Sequence, residues 1–337
     1  MDSLTQILLG GATAAAIAPA RHRRAALLAG AALGTLPDLD SFLLRPFTDD
    51  PVALMTMHRS FSHSLLVLPF VGALIWWLFR RFGHGRTRAE PARWFWAMQA
   101  ALLTHPLLDA FTAYGTQLWW PLPSAPVAWS SIFIIDLGYT LWLLLACIFA
   151  WCLAEKASAQ RALVAGLVLS SAYLGASLLA QQQVERAAAR TLAGMGLADA
   201  PRLTTPTPFN ILLWRVIVMT PTGYLIGERS LVADRGPMVF DPHASDVKAL
   251  ADAREVPAVR SLQWFNGGFM RAQVDAGGAL VLSDLRMGQE PSYSFQFEVA
   301  RRVDGRWQAV PPKQFAWKAP IDGLGALWQR IWTEPSR

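Results

Sequence analysis

Thr35-Leu-Pro-Asp38-Leu-Asp40, His58-Arg-Ser-Phe-Ser-His63-Ser64 and Thr104-His105-Pro-Leu-Leu-Asp109 are short polar stretches at the ends of strongly apolar runs. Asp and His are costly to bury without a partner. They are also the residue types that ligate a hydrolytic metal ion. Their placement decides the reading of the chain: a bundle of apolar helices that carries a polar centre at one end.

Composition agrees. Hydrophobic residues make up 53% and charged residues 16% of the 337, against roughly 25% charged in an ordinary soluble protein. Apolar segments fall at 4–19, 25–44, 62–79, 94–111, 131–154 and 162–181. A bilayer span takes about 20 residues, so the pattern predicts an α-helical polytopic membrane bundle of about six segments. The first, rich in Gly and Ala, suits a tight hairpin with the second, because small residues let helices approach closely. Many of the fifteen Trp, including Trp76, Trp77, Trp119, Trp120 and Trp129, flank apolar runs, as interfacial anchors do. Cys147 and Cys152 sit in one apolar run, in no zinc-type pattern, and are not expected to pair. The start, Met-Asp-Ser, lacks the basic region of a secretory signal, and the basic cluster Arg21–Arg24 comes after the apolar run, so the segment reads as retained.

The net charge of +6 resides largely in short loops, which points to a membrane surface instead of nucleic acid. The loops at 21–24, 80–93 and 155–161 carry the basic residues and are expected to be cytoplasmic. The loops at 45–61 and 112–130, and the chain after 182, are then external. Asp38, Asp40, His58, His63, His105, Asp109 and Asp136 all fall on that external side.

From residue 183 the character changes. Residues 1–182 read as the transmembrane domain. Residues 183–208 read as a helix extension and a Pro-rich linker. Residues 209–337 read as an extramembrane, mostly antiparallel β domain. Strand-like runs are expected at Leu212–Thr220, Tyr224–Val232, Val259–Phe265, Phe269–Val274, Ala279–Leu285 and Tyr293–Val303, with a short helix within 244–255.

His105 and Asp109 are i and i+4, so they share a helix face. His58 and His63 fit a loop leading into the first turn of a helix, with Ser60 as N-cap. Ser62 and Ser64 suit hydrogen bonding, and no nucleophile elbow occurs. Asp38 and Asp40 repel each other unless a cation or proton lies between them. Asp136, flanked by Ile134, Ile135 and Leu137, needs a partner if buried. The expected metal ligands are His58, His63, His105, Asp109 and Asp40, with Asp38 or Asp136 as general base. This set suffices for one zinc-like ion, or for two divalent ions bridged by a carboxylate. Zinc fits best, with manganese or magnesium as alternatives. His22, His84 and His243 are expected to be uninvolved.

Met-Asp-Ser-Leu-Thr-Gln, Gly-Thr-Leu-Pro-Asp-Leu-Asp, His-Arg-Ser-Phe-Ser-His-Ser, Leu-Thr-His-Pro-Leu-Leu-Asp-Ala-Phe-Thr-Ala-Tyr-Gly-Thr-Gln and Ile-Asp-Leu-Gly-Tyr-Thr closely resemble the YdjM-like family, over about residues 1–150. The resemblance implies a multi-pass bacterial inner-membrane protein and, by family description, a metal-dependent hydrolase. Many such relatives carry His where this chain has Gln6. The expected function is hydrolysis of a phosphoester or lipid-linked substrate at the periplasmic membrane face, with membrane lipids as partners. Two other readings stand beside it: a non-catalytic sensor or scaffold with a structural metal, and a transporter. A transporter would hold its ligands near the bilayer midplane, not toward one face.

Overall fold

Residues 1–83, 85–317 and 323–334 are described by the computed structural model, so His84 lies outside the described residues. Contacts divide the chain into two units. One comprises Met1–Leu43, His58–Trp129 and Ile134–Ala176. The other comprises Leu44–Met57, Ser130–Phe133 and the chain from Ser177 onward.

The first unit is helical. Its elements are α1 (Ser3–Ile17), α2 (Arg23–Thr35), α3 (Asp40–Leu44, whose last residue falls in the other unit), α5 (Leu68–Phe82), α6 (Arg86–Ala89), α7 (Pro91–Asp109), α8 (Leu137–Leu153) and the first half of α9 (Ala157–Gly194). α4 (Pro51–Met57) belongs to the second unit. α1 lies at the centre, against α2, α7 and α8. Asp2 caps it, accepting from Thr5 N at 3.0 Å and Thr5 Oγ1 at 2.6 Å. The predicted α1–α2 hairpin is present, and its closeness comes from glycine. A Cβ on Gly10 or Gly30 would overlap the backbone of the other, and one on Gly34 would overlap the Gln6 carbonyl. On the far side, Arg23 donates to the carbonyls of Ala154 and Lys156 and to Gln160 Oε1, tying α2 to the α8–α9 turn.

Six spans are not what the structure contains. Among the described residues two helical stretches are long and apolar enough to cross a membrane, Ala20–Leu44 and Ala157–Gly194, and a bent pair, Pro51–His63 with Leu68–Phe82, would make a third. α1 and α8, at 15 and 17 residues, are too short to count. α7 has 19 residues, but Arg93, Gln99, Thr104, His105 and Asp109 leave it too polar. Apolar composition and helix type were legible, but the runs joined several short helices and loops into apparent spans. The run 131–154, for instance, becomes helix only from Leu137.

In the second unit, α9 continues to Gly194, and at about 1.5 Å per residue it outlasts a bilayer core. Its Ala180, Val184, Ala187, Ala188 and Leu192 form one stripe that packs on Trp214, Val216 and Val218. These belong to the sheet β1 (Arg202–Pro206), β2 (Leu213–Thr220), β3 (Gly223–Ser230) and β4 (Phe240–Ala244), antiparallel and in that order. β1 lies within the stretch expected as a linker. The opposite face of β2 presents Ile217, which packs with Tyr224, Leu285 and Tyr293.

A second antiparallel sheet holds β5 (Met270–Val274), β6 (Ala279–Asp284), β9 (Gln296–Val303) and β10 (Arg306–Gln314), in the order β10-β9-β6-β5. β7 (Gly288–Gln289) and β8 (Ser292–Tyr293) make a small hairpin between β6 and β9. Open sheets of this kind carry unpaired edge groups that hydrocarbon does not tolerate. Helices α10 (Val247–Asp252), α11 (Pro257–Asn266) and α12 (Leu324–Trp332) complete the unit. The run Val259–Phe265, expected as a strand, is α11. Pro257 opens it, Val259, Leu262 and Phe265 recur at helical spacing, and Gly267 closes it with φ +64°.

Glycine at the α1–α2 contact has a measurable consequence. Gly30→Val should cost about 1–3 kcal/mol by overpacking, seen as a lower melting temperature of the purified protein. Gly175→Ala, on α9 with nothing within 4 Å of its Cβ, should be neutral or stabilising by up to about 1 kcal/mol.

Candidate metal centre

Each polar stretch ends an element. The chain leaves α2 through a 3-10 turn, Leu36–Leu39, with Pro37 at its start, which places Asp38; Asp40 begins α3. His63 ends a 3-10 turn, Phe61–His63, that comes after Ser60, whose side chain makes no cap bond there. His105 and Asp109 occupy the last turn of α7, as their spacing predicts, with Pro106 between them. The loop carrying His63 is pinned to residues 116–120. Gln117 N donates to Arg59 O, Leu65 N to Leu118 O and Ser64 Oγ to Trp120 O at 2.6 Å.

Four side chains meet: Asp38, His63, His105 and Asp109 each offer one atom to a group that could hold a metal ion. His63 Nε2 lies 3.1 Å from His105 Nε2, 3.4 Å from Asp38 Oδ1 and 3.3 Å from Asp109 Oδ2. His105 Nε2 lies 3.4 Å from each of the same two carboxylate oxygens. Four ligands held about 2.0–2.1 Å from a tetrahedral ion sit roughly 3.3–3.4 Å apart, close to the five distances that involve a histidine, and all four atoms lie within 4.8 Å of one another. Asp38 Oδ1 and Asp109 Oδ2 are buried and accept no hydrogen bond. An orphaned buried carboxylate oxygen is costly unless a cation faces it.

The imidazoles are oriented by what lies behind them. His105 Nδ1 is 2.5 Å from the Gly34 carbonyl, which only accepts, so Nδ1 carries the proton. Ser62 Oγ donates to Asp40 Oδ2 at 2.6 Å and therefore accepts from His63 Nδ1 at 2.9 Å. With Nδ1 protonated on both rings, each neutral ring turns its Nε2 lone pair toward one point. The two Nε2 atoms lie 3.1 Å apart, a spacing that either a proton on one of them or a cation between them accounts for. A carboxylate relayed to a ligating imidazole is the usual support of a metal site.

Charge around Asp109 is already partly compensated. Its Oδ1 accepts from the Met1 amine and from Gln6 Nε2 at 2.9 Å. Arg59 Nε lies 3.1 Å from Oδ2, within ion-pair range but out of hydrogen-bond alignment. Arg59 is buried, rests over the Tyr114 ring at 4.8 Å, and adopts φ +63°. That left-handed conformation is uncommon for a side chain of this size. Asp40 helps hold it by accepting from Arg59 N at 3.0 Å.

Asp40 and His58 stand beside the four-residue group. His58 Nδ1 meets Asp40 Oδ1 at 2.7 Å, and Asp40 Oδ2 is 3.9 Å from His63 Nδ1. Asp136 is not in the group. It caps α8 by accepting from Tyr139 N at 3.1 Å. Of the other histidines, His22 lies tilted against Trp94 with ring centroids 6.4 Å apart, and His243 stacks on Tyr224. Sequence reasoning passed over Arg59 and Gly34. An arginine inside an apolar protein's His-rich insert was a usable signal; a glycine carbonyl that receives a histidine 71 residues away was not.

Ser62→Ala removes the relay behind His63 and should weaken divalent-metal binding about 10–100-fold, measured by competition with a chelating dye. Asp136→Ala should cost about 1 kcal/mol of stability as a lost cap and leave that affinity unchanged.

No curated protein and no solved structure matches the chain. Residues 1–184, which carry every residue of the centre, match the family described as YdjM inner membrane protein. The chain is therefore a membrane protein that belongs to the YdjM inner membrane protein family.

Proposed function

We propose that this protein is a membrane-bound, metal-dependent hydrolase acting on a phosphoester or lipid-linked substrate at the periplasmic face of the inner membrane. The observation that carries the reading is the convergence on one point of two imidazole nitrogens and two buried carboxylate oxygens that accept no hydrogen bond. In this reading Asp38, His63, His105 and Asp109 hold the ion, zinc best and manganese or magnesium as alternatives. A divalent ion there would supply Lewis acidity to a substrate oxygen and lower the pKa of water.

The chain's own residues do the rest. Asp38 is the exposed member of the group, with 24% of its side chain open, and marks the way in. Leu39, Phe42 and Leu43 beside it are exposed and apolar, a surface suited to an acyl tail. His58, one-fifth exposed and oriented by Asp40, can take or give a proton at Nε2. The distribution of basic loops supports a multi-pass topology with the C-terminal domain periplasmic. The full burial of His63, His105 and Asp109 favours a second reading, a closed structural metal site in a sensor or scaffold.

Purified protein should contain about one divalent ion per chain. It should hydrolyse a phosphodiester or phospholipid, lose that activity to a chelator and regain it with zinc or manganese. His63→Ala and His105→Ala should lose both metal and turnover. Bound metal without turnover across a broad substrate panel would select the structural reading; no bound metal would end both. Reporter fusions should place the 80–93 loop in the cytoplasm and the C-terminus outside it; a cytoplasmic C-terminus would refute the proposed orientation.

A further inference from the structure

Arg59 meets the same oxygen of Asp109 that the two imidazoles share. Asp109 Oδ2 lies 3.1 Å from Arg59 Nε, 3.3 Å from His63 Nε2 and 3.4 Å from His105 Nε2. An ion ligated by Oδ2 would sit about 2 Å from that oxygen. Arg59 Nε would then be no more than about 5 Å from the ion, whatever the direction of approach.

The guanidinium is held where it is. Arg59 is buried, its Nη1 donates to Thr112 Oγ1 at 3.3 Å, and its charged end lies 4.8 Å from the centre of the Tyr114 ring. Its backbone is fixed as well. Arg59 N donates to Asp40 Oδ2 at 3.0 Å, and Arg59 O accepts from Gln117 N at 2.9 Å. All of these residues belong to the helical unit. A guanidinium does not lose its proton in a protein, and charges buried together are screened little by salt.

Two effects therefore oppose each other. With no ion bound, Arg59 offsets a buried carboxylate that is costly when left alone. With an ion bound, two positive charges stand close together in a poorly screened interior and repel. We propose that Arg59 is a built-in counter-ion that competes with the metal for Asp109. The centre then stays assembled when empty, and its ion exchanges with the supply of divalent cation. This inference rests on the metal reading proposed above. Arg59 acts through Asp109 and is a positioning residue; a guanidinium has no lone pair to give a metal.

The sign of the effect separates a counter-ion from a merely structural arginine. The test uses the full chain in detergent, with zinc titrated against a chelating dye and thermal melts run with and without zinc. Gln at position 59 carries the same strain at φ +63° as Arg, so the substitution changes chiefly the charge. Arg59→Gln should tighten zinc binding by about tenfold or more. It should melt earlier than the wild type without zinc and gain more from added zinc. Arg59→Met, a second neutral replacement, should do the same. Arg59→Lys keeps the charge and should bind zinc within about threefold of the wild type. A neutral variant too unstable to purify without zinc should be recovered folded when zinc is supplied, and failure to recover it would count against the counter-ion. Equal or weaker zinc binding in the neutral variants, beside a wild type that binds zinc, would overturn the counter-ion and leave the metal reading standing. Zinc bound by neither the wild type nor the neutral variants would end both.

Discussion

Two carboxylates and two imidazoles lie within a few ångströms of each other at the end of an apolar helical unit, and the protein must compensate that charge. Water reaches only Asp38, since His63, His105 and Asp109 are fully buried. Arg59 and the Met1 amine answer Asp109 from behind. Asp38 Oδ1 accepts no hydrogen bond, and Asp109 Oδ2 has only the misaligned Arg59 Nε at 3.1 Å. A cation in the middle of the group could supply further compensation.

That demand explains several local features that are otherwise odd. Gly34 must approach α1 closely enough for helix packing while its carbonyl stays free for His105. Arg59 holds a left-handed backbone because Asp40 bonds its amide and residue 117 bonds its carbonyl. Asp40 itself is not one of the four converging residues. It organises the 58–63 loop, as a buried carboxylate can when three donors from that loop reach it. Polar residues in this unit are concentrated where they satisfy one another, and the outer surface is left to Leu, Phe and Trp.

Much of this is readable from the residues. The i, i+4 spacing of His105 and Asp109 requires a shared helix face, and the two do meet. The Gly/Ala richness of the first segment points to the close α1–α2 hairpin. Asp2 and Asp136 resemble the other acidic residues of the motifs, but both are helix caps, a role that any Asp before a helix can fill. The count of six spans fails because hydropathy averages over a run and is blind to where the helix begins and breaks. Val259–Phe265 passes for a strand for a related reason: a short apolar run fits either period, and the Pro257 and Gly267 that bound it carry the better signal.

By itself the sequence determined the apolar helical character of residues 1–182, the β-rich character of residues 209–337, and a small set of polar residues too costly to bury without purpose. These are local properties, set by composition, spacing and the penalty of burying charge. Only the tertiary structure decided that Asp38 joins His63, His105 and Asp109, that Asp136 stays apart, and that residues 44–57 belong by their contacts to the C-terminal unit. Such choices depend on contacts between residues tens to hundreds of positions apart, and a linear pattern contains no term for them.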